Sequence, residues 1–405
     1  MIHLEVWLTL PDGERIQAGE IVTADPDAEH GGALQGEYRY CTDYLDSPRA
    51  FPLDPVALPL QDRIFNANNP RSGVHQVFED SLPDDWGRQL LVRRYRLPRG
   101  RQRPPQLLSC IGISALGALA FINKDRPQPE SNAAGLPDLP ALLQAAARYE
   151  QGELAQGDEL QLLFQAGSSP GGARPKVLVE EQGRGWIAKF PSARDRFDVV
   201  RLEAASLELA RRSGLVVPEF RLVDAAGRAV LLVRRFDETG EGGRRHLVSM
   251  RTLLQVENYY NCAYHDVADI VRCHSDHPQQ DLAAVYRWMV FNAALGNTDD
   301  HLKNIMMQHD DDGWALAPLY DLVPNINRNL EHVLMFDTSF YPPDKAGLVG
   351  MAAKFGLSKR QAEAIVEAVW EALTRWESVF AEQGVPDADI VRLRPDISGR
   401  LAAKD

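Results

Sequence analysis

Asn297-Thr298-Asp299-Asp300-His301-Leu302-Lys303-Asn304, with Asp321 a short way downstream, is the stretch on which the reading of this chain turns. An acid, an amide five positions on and a second acid after two strands form the polar layout of a kinase phosphate-transfer site. Phosphoryl transfer needs that layout because its transition state spreads negative charge over the γ-phosphoryl oxygens. The protein must therefore supply Mg2+ held on hard oxygen ligands and a carboxylate that accepts the proton of the attacking hydroxyl. In the pattern H-R-D-x-x-x-x-N the base and the metal-binding amide lie five residues apart. Asp299 to Asn304 reproduces that interval and Asp300 to Asn304 does not. Asp299 is thus the candidate base, Asn304 and Asp321 are the candidate metal ligands, and Asp300 is expected to matter much less.

Beyond Asn304 the chain reads Ile305-Met306-Met307, an acidic turn through Asp310-Asp311-Asp312-Gly313, and Trp314-Ala315-Leu316-Ala317-Pro318-Leu319. This is a strand, a turn and a returning strand, which would bring Tyr320-Asp321-Leu322 back beside Asn304 in the place of a D-F-G segment. Taken alone, the segment also reads as an acidic loop capping a helix. The upstream sequence favours the first reading. Gly167-Ser168-Ser169-Pro170-Gly171-Gly172-Ala173-Arg174-Pro175-Lys176 lies between strand-like runs at 160–165 and 177–181. Its glycines allow backbone N–H groups to approach phosphate oxygens, although an ordinary hairpin loop shares the composition and no Walker pattern is present. A third run, Trp186-Ile187-Ala188-Lys189-Phe190, carries one lysine among apolar residues, for which a phosphate partner accounts. The span 198–212 reads as an amphipathic helix with Asp198 as N-cap and Gly214 past its end. Glu203, in its first turns, either pairs with Lys189 or lies on a solvated face. A hairpin over 219–223 and 229–233 then runs into Arg234-Arg235-Phe236-Asp237, where a kinase hinge would hold adenine.

With Gly172-Ala173-Arg174-Pro175-Lys176, Ile187-Ala188-Lys189-Phe190-Pro191, Arg235-Phe236-Asp237, the opening octapeptide and Leu319-Tyr320-Asp321-Leu322-Val323 in family order, the chain resembles the HipA-family serine/threonine kinases, toxins of bacterial toxin–antitoxin pairs. The resemblance implies an α+β, bilobal, protein-kinase-like fold with a small N-terminal α/β subdomain at 1–125 and a linker at 126–140. An ATP-binding lobe at 141–237 and a mostly helical catalytic lobe at 238–405 would follow. It implies ATP and Mg2+ as cofactors, Asp299 as base, Asn304 and Asp321 as metal ligands and Lys189 as phosphate-binding lysine. Further ATP contacts would come from Gly171, Gly172, Ala173, Arg174, Lys176, Glu203, Arg234, Phe236, His301 and Lys303. The family's inactivating autophosphorylated serine falls on Ser169, with Ser168 adjacent. The implied substrate is a cytoplasmic protein such as an aminoacyl-tRNA synthetase, and the implied partner is a small helix-turn-helix antitoxin through which DNA is reached indirectly. The chain departs from the family at two places: Arg234 replaces an acidic residue and Arg174-Pro175 a Gln-Glu pair. A small-molecule kinase and an inactive corepressor are the competing readings. Full-length similarity argues against the first, and intact Lys189, Asp299, Asn304 and Asp321 against the second.

The N-terminal third shows no phosphate chemistry. Strands are expected over 4–10, 16–22 and 112–121, and a helix ending at Arg94. The Pro-rich 126–140 is the expected linker. Apolar spacing at Ala362, Ile365, Val366, Val369, Leu373 and Trp376 predicts a core-packing helix within 358–383. A net charge of −13, from 44 basic and 57 acidic residues, disfavours direct nucleic-acid binding, while the basic 93–103 stretch reads either as a solvated face or as a local DNA contact within a complex. Four scattered cysteines fit a reducing compartment rather than a disulfide framework. Cys262, His265, Cys273, His274 and His277 have zinc-ligand chemistry, but the helical apolar spacing around them favours ordinary surface and core roles. No apolar run approaches membrane-span length, and the first residues lack the basic start of a signal peptide.

Overall fold

Alternation of Leu4, Val6 and Leu8, each without exposed surface, with His3, Glu5 and Trp7 makes Ile2–Thr9 a strand with one face in a core. It is β1 of a computed structural model that describes residues 1–405 except 27–31, 68, 113–114, 125–133, 136–137, 154–158, 160–161, 164–173, 258–260, 328 and 403–405. The chain divides into two compact units. One comprises Met1–Ala193, Arg234–Val248 and Gln308–Asp311, and the other Arg194–Val233, Ser249–Met307 and Asp312–Asp405.

In the first unit, β1 turns at Gly13 into β2 (Arg15–Thr23), and these strands with β3 (Gly36–Tyr40), β4 (Phe65–Ala67) and β5 (Leu119–Ile122) form a sheet of order β4-β3-β2-β1-β5. The strand expected over 112–121 is confined to β5, because Gly112 (φ +57°) and Gly117 (φ +75°) bend the chain before it. A helix, Asp85–Arg94, ends where the sequence predicts. β6 (Ala134–Gly135) runs parallel to β7 (Lys176–Glu181), and β7 returns as antiparallel β8 (Arg184–Lys189). The intervening turn has Gln182 at φ +53° and Gly183 at φ +73°, the two positive φ values of a tight hairpin. The strand expected over 160–165 is not found in its described residues: Leu162 and Leu163 are helical. Leucine favours helix, and the run has no β-branched residue to oppose it.

The second unit is mostly helical. Asp198 caps the Val199–Arg212 helix by accepting from the Arg201 backbone N–H, and Gly214 (φ +81°) follows its end. β9 (Phe220–Ala225) pairs with β10 (Arg228–Arg234) from Ala225 opposite Arg228 to Phe220 opposite Val233. Around the Pro278–Leu295 helix pack the helices Tyr264–His274, Lys359–Leu373 and Asp387–Ala402. The central helix buries the run Trp288–Leu295, as an element covered on several sides must. Ala362, Ile365, Val366, Val369, Leu373 and Trp376 are buried, as their spacing predicts. Among the described residues no helix is long and apolar enough to cross a membrane.

One buried ion pair holds the Arg235-Phe236-Asp237 segment within the first unit. Arg235 meets both Asp237 oxygens, at 3.1 and 2.6 Å, while Asp237 accepts from Gly117 N–H at 2.9 Å and Arg235 donates to the Ala115 carbonyl at 3.2 Å. Burial pushes the Asp237 carboxyl up, but the charge and hydrogen bonds of Arg235, then Arg244 and the Gly117 N–H, hold it below the ordinary 3.8. A depressed carboxyl contributes stability above its unfolded value, and that stability is lost as pH falls through the folded one. Asp237→Asn should cost about 3–5 kcal/mol in urea unfolding at pH 7, because it strands a buried guanidinium. The deficit should shrink in acid, and equal urea midpoints at pH 7 would show that the pair contributes nothing.

Candidate active site

The Pro278–Leu295 helix delivers the octapeptide. It ends at Gly296 in the left-handed region (φ +77°), where the N–H groups of Gly296 and Asn297 both reach back to the Asn292 carbonyl, at 2.9 and 3.1 Å. A β-carbon at 296 would lie 2.7 Å from Arg400 Nε and 2.9 Å from Asp396 Oδ2 of the Asp387–Ala402 helix, so both conformation and contact require glycine.

The two aspartates that follow part company. The Asp299 side chain is 75% exposed, whereas none of the Asp300 side chain is. Asp300 Oδ1 accepts from the N–H groups of Val333 (2.8 Å) and Leu334 (3.3 Å). Its Oδ2 accepts from the Tyr264 hydroxyl and lies 3.3 Å from His332 Nδ1. The Asp300 carboxylate is the buried attachment of the octapeptide. Asp299 is the one of the two that faces solvent.

Next, His301 Nε2 meets Asp299 Oδ1 at 2.6 Å. A single 3-10 turn, Leu302–Asn304, buries Leu302, leaves Lys303 half-buried and turns the Asn304 amide to Asp321 Oδ2 at 3.1 Å. The return expected between them is present as β12 (Met306–Asp310) and β13 (Gly313–Leu316), closed at its base by Ala317 N–H donating to the Met306 carbonyl at 2.9 Å. Asp321 itself has φ +59°, a conformation aspartate tolerates better than most residues. The Asp299–His301 and Asn304–Asp321 pairs lie close together in the second unit, with the Asp321 charge acting on His301. Asn304 and Asp321 offer amide and carboxylate oxygen, the hard donors that Mg2+ takes.

In the first unit, Lys176 on β7 stands directly opposite Lys189 on β8. Directly opposed residues of an antiparallel pair project to the same face, so two lysine side chains leave one face of this hairpin as neighbours. Lys176 is only 5% exposed. Arg174 lies just before β7, Phe236 is half-buried, and the Arg234 guanidinium sits 6.0 Å from the centre of the Trp186 ring. Ser168, Ser169, Gly171, Gly172 and Ala173 lie outside the described residues. Glu203, in the second unit, is 5% exposed, which overturns its solvated-face alternative. Of the candidate zinc residues, Cys262 is buried just before the Tyr264–His274 helix and Cys273 is exposed on it. No group of three or more metal-holding His, Cys, Asp or Glu side chains occurs among the described residues. Sequence reasoning missed Tyr264, Asn292 and His332, and nothing in their spacing announces a role.

A helix-delivered acid, an amide and a returning acid on an α+β scaffold define a phosphotransferase of the kinase class. Residues 17–122 match the HipA N-terminal domain and residues 168–376 the HipA-like C-terminal domain. The chain belongs to the HipA family and is a serine/threonine kinase of that family. Y4mE of Sinorhizobium fredii, a candidate kinase by name, is 24% identical over 420 residues, covering 94% of this chain and 96% of that protein. The serine/threonine-protein kinase toxin HipA of Shewanella oneidensis is 26% identical over 333 residues, 74% of this chain and 70% of that one. A solved structure of Shewanella oneidensis HipA with HipB and its operator DNA has the same fold, with a TM-score of 0.71 at 21% identity over 99% of this chain and 96% of that one.

The His301 imidazole is raised above its ordinary 6.5, first by the hydrogen bond to Asp299. Burial opposes this, and the charges of Asp299, Asp300 and Asp321 reinforce it. The pair accordingly contributes stability below the unfolded value, which is lost as pH rises through the folded one. NMR titration of the imidazole should place the His301 midpoint above 6.5 and bring it down in Asp299→Asn. An identical midpoint in both proteins would mean that Asp299 does not hold the proton there.

Proposed function

We propose that this HipA-family kinase transfers the γ-phosphoryl of ATP, with Mg2+, to a serine or threonine of a cytosolic protein, an aminoacyl-tRNA synthetase being the substrate class suggested by family resemblance. The observation that carries the reading is the exposed Asp299 carboxylate close to the Asn304–Asp321 pair. Asp299 accepts the proton of the attacking hydroxyl and orients its oxygen. Asn304 and Asp321 would hold the metal, which when bound neutralises charge developing on the phosphoryl oxygens. Lys176 and Lys189 contribute cationic charge for the phosphates, with Arg174 and the Gly171-Gly172-Ala173 backbone beside them in sequence, and family resemblance assigns Glu203 to the same nucleotide. Phe236 and Arg234 serve the adenine end, and His301 and Lys303 the phosphate end.

Two finer features belong to the same proposal. Ser169, or Ser168 next to it, is the site of self-inactivation, because a phosphoserine adds about −1.5 to −2 charge where the nucleotide phosphates must approach. A small helix-turn-helix antitoxin is the partner, and DNA is reached through it. The support is family membership together with the HipA–HipB–operator assembly formed by the Shewanella protein.

Asp299→Asn should retain ATP binding and lose roughly 10²–10⁴-fold in phosphate transfer. Radiolabel transfer at wild-type rate in this variant would remove Asp299 from the chemistry. Asp321→Ala and Asn304→Ala should each weaken the Mg2+ dependence of nucleotide binding in calorimetry, since each removes an oxygen donor. A metal effect unchanged in both would exclude them as ligands. Mass spectrometry of active protein should find phosphate between Gly167 and Lys176 that is missing from Asp299→Asn. Equal phosphate in the two proteins would end the self-inactivation reading.

A further inference from the structure

Four side chains form a closed tether around the proposed base. Asn297 Nδ2 donates to Asn292 Oδ1 at 3.0 Å, Asn292 Nδ2 donates to the Tyr264 hydroxyl at 3.0 Å, and that hydroxyl donates to Asp300 Oδ2. The two ends of this path, Asn297 and Asp300, lie in the same loop and bracket Thr298 and Asp299. All four residues are buried, with exposures of 2% for Asn297 and Asp300 and none for Asn292 and Tyr264. Asp299 alone between the brackets carries an exposed side chain.

We propose that Tyr264 is a positioning residue for phosphate transfer: through Asp300 and Asn292 it fixes both flanks of Asp299, and so the place from which that carboxylate meets the substrate hydroxyl. The proposal rests on the reading of Asp299 as the base. A tyrosine suits the position because one hydroxyl must accept from Asn292 while it donates to Asp300, which phenylalanine cannot do. Burial, and the neighbouring Asp300, push its ionisation well above the ordinary range, so the hydroxyl keeps the proton it donates. The tyrosine is itself held. Its ring packs against Trp288 and Phe336 with centroids at 4.9 and 5.1 Å, and its backbone N–H donates to the Met335 carbonyl at 3.1 Å. The same 332–336 segment supplies the other three contacts of Asp300, through His332, Val333 and Leu334. Asp300 thus joins the octapeptide, the start of the Tyr264–His274 helix and the 332–336 segment at one carboxylate.

Misplacing a reacting group by about 1 Å can cost on the order of 10²-fold in rate. Tyr264→Phe keeps the ring and deletes the hydroxyl. In Mg2+-dependent turnover of radiolabelled ATP by the full chain, kcat should fall about 10–100-fold while the KM for ATP moves less than about twofold. Asn297→Ala, which opens the tether at its other end, should give the same split, and it serves if Tyr264→Phe does not fold. The decisive comparison adds each change to Asp299→Asn. A residue that acts by placing Asp299 has nothing left to place, so the double variants should turn over no more slowly than Asp299→Asn alone. An unchanged kcat in folded Tyr264→Phe and Asn297→Ala would overturn the proposal, and so would a full further loss in the double variants. Wild-type turnover by Asp299→Asn alone would instead bring down the base assignment, and this inference with it.

Discussion

A carboxylate withdrawn entirely from water persists only if donors replace the water, and Asp300 with its donors joins three stretches of chain far apart in sequence. Tyr264 arrives from one helix, His332, Val333 and Leu334 from a later segment, and Asp300 itself from the loop after the central helix. Hydrogen bonds to such a group contribute about 1.5–3 kcal/mol each, and leaving one unmade is costlier than never having built the site. The arrangement therefore exists whole or not at all. What it fixes is small: one peptide unit further back, Asp299 is turned out to solvent beside His301. An exposed acid is thus set beside a neighbour whose side chain has no exposed surface.

The two aspartates show how a tandem repeat of one residue type divides its labour by environment. The first keeps its solvation and one imidazole partner. The second gives up solvation for fixed geometry. Lys176 and Lys189 show a related economy in the other unit, where antiparallel register makes neighbours of residues separated by a tight turn. Two lysines thus share one face of a hairpin, one of them nearly buried.

Much of this was legible in the order of residues. The acid–amide interval, the strand-turn-strand return to Asp321, the Asp198 cap, the hairpin before Arg234 and the buried face of Lys359–Leu373 depend on local rules that short segments obey. The failures also have local causes. At Leu162 and Leu163 an apolar run too short to show its period was read as strand and is helical. Over 112–121 two glycines at positive φ cut the strand to its last residues. The anchoring of Asp300 was illegible for another reason: its partners at 264 and 332–334 are set by how helices pack, and no spacing rule connects them. The Arg235–Asp237 tie to Ala115 and Gly117 escaped in the same way, although the motif itself was conspicuous.

Two of the contacts of the Asp387–Ala402 helix fall where other helices of its unit begin or end. Asp389 accepts from the Asp198 N–H at the start of the helix carrying Glu203, at 2.8 Å, and Arg400 and Asp396 crowd Gly296, where the chain leaves the central helix for Asp299. Both junctions are emitted by the ribosome well before residues 387–402. While the chain is still being made, the elbow at Gly296 and the cap at Asp198 lack the surface they will rest on. A turn and a cap that rest on a late helix complete their packing only after residues 387–402 have been made.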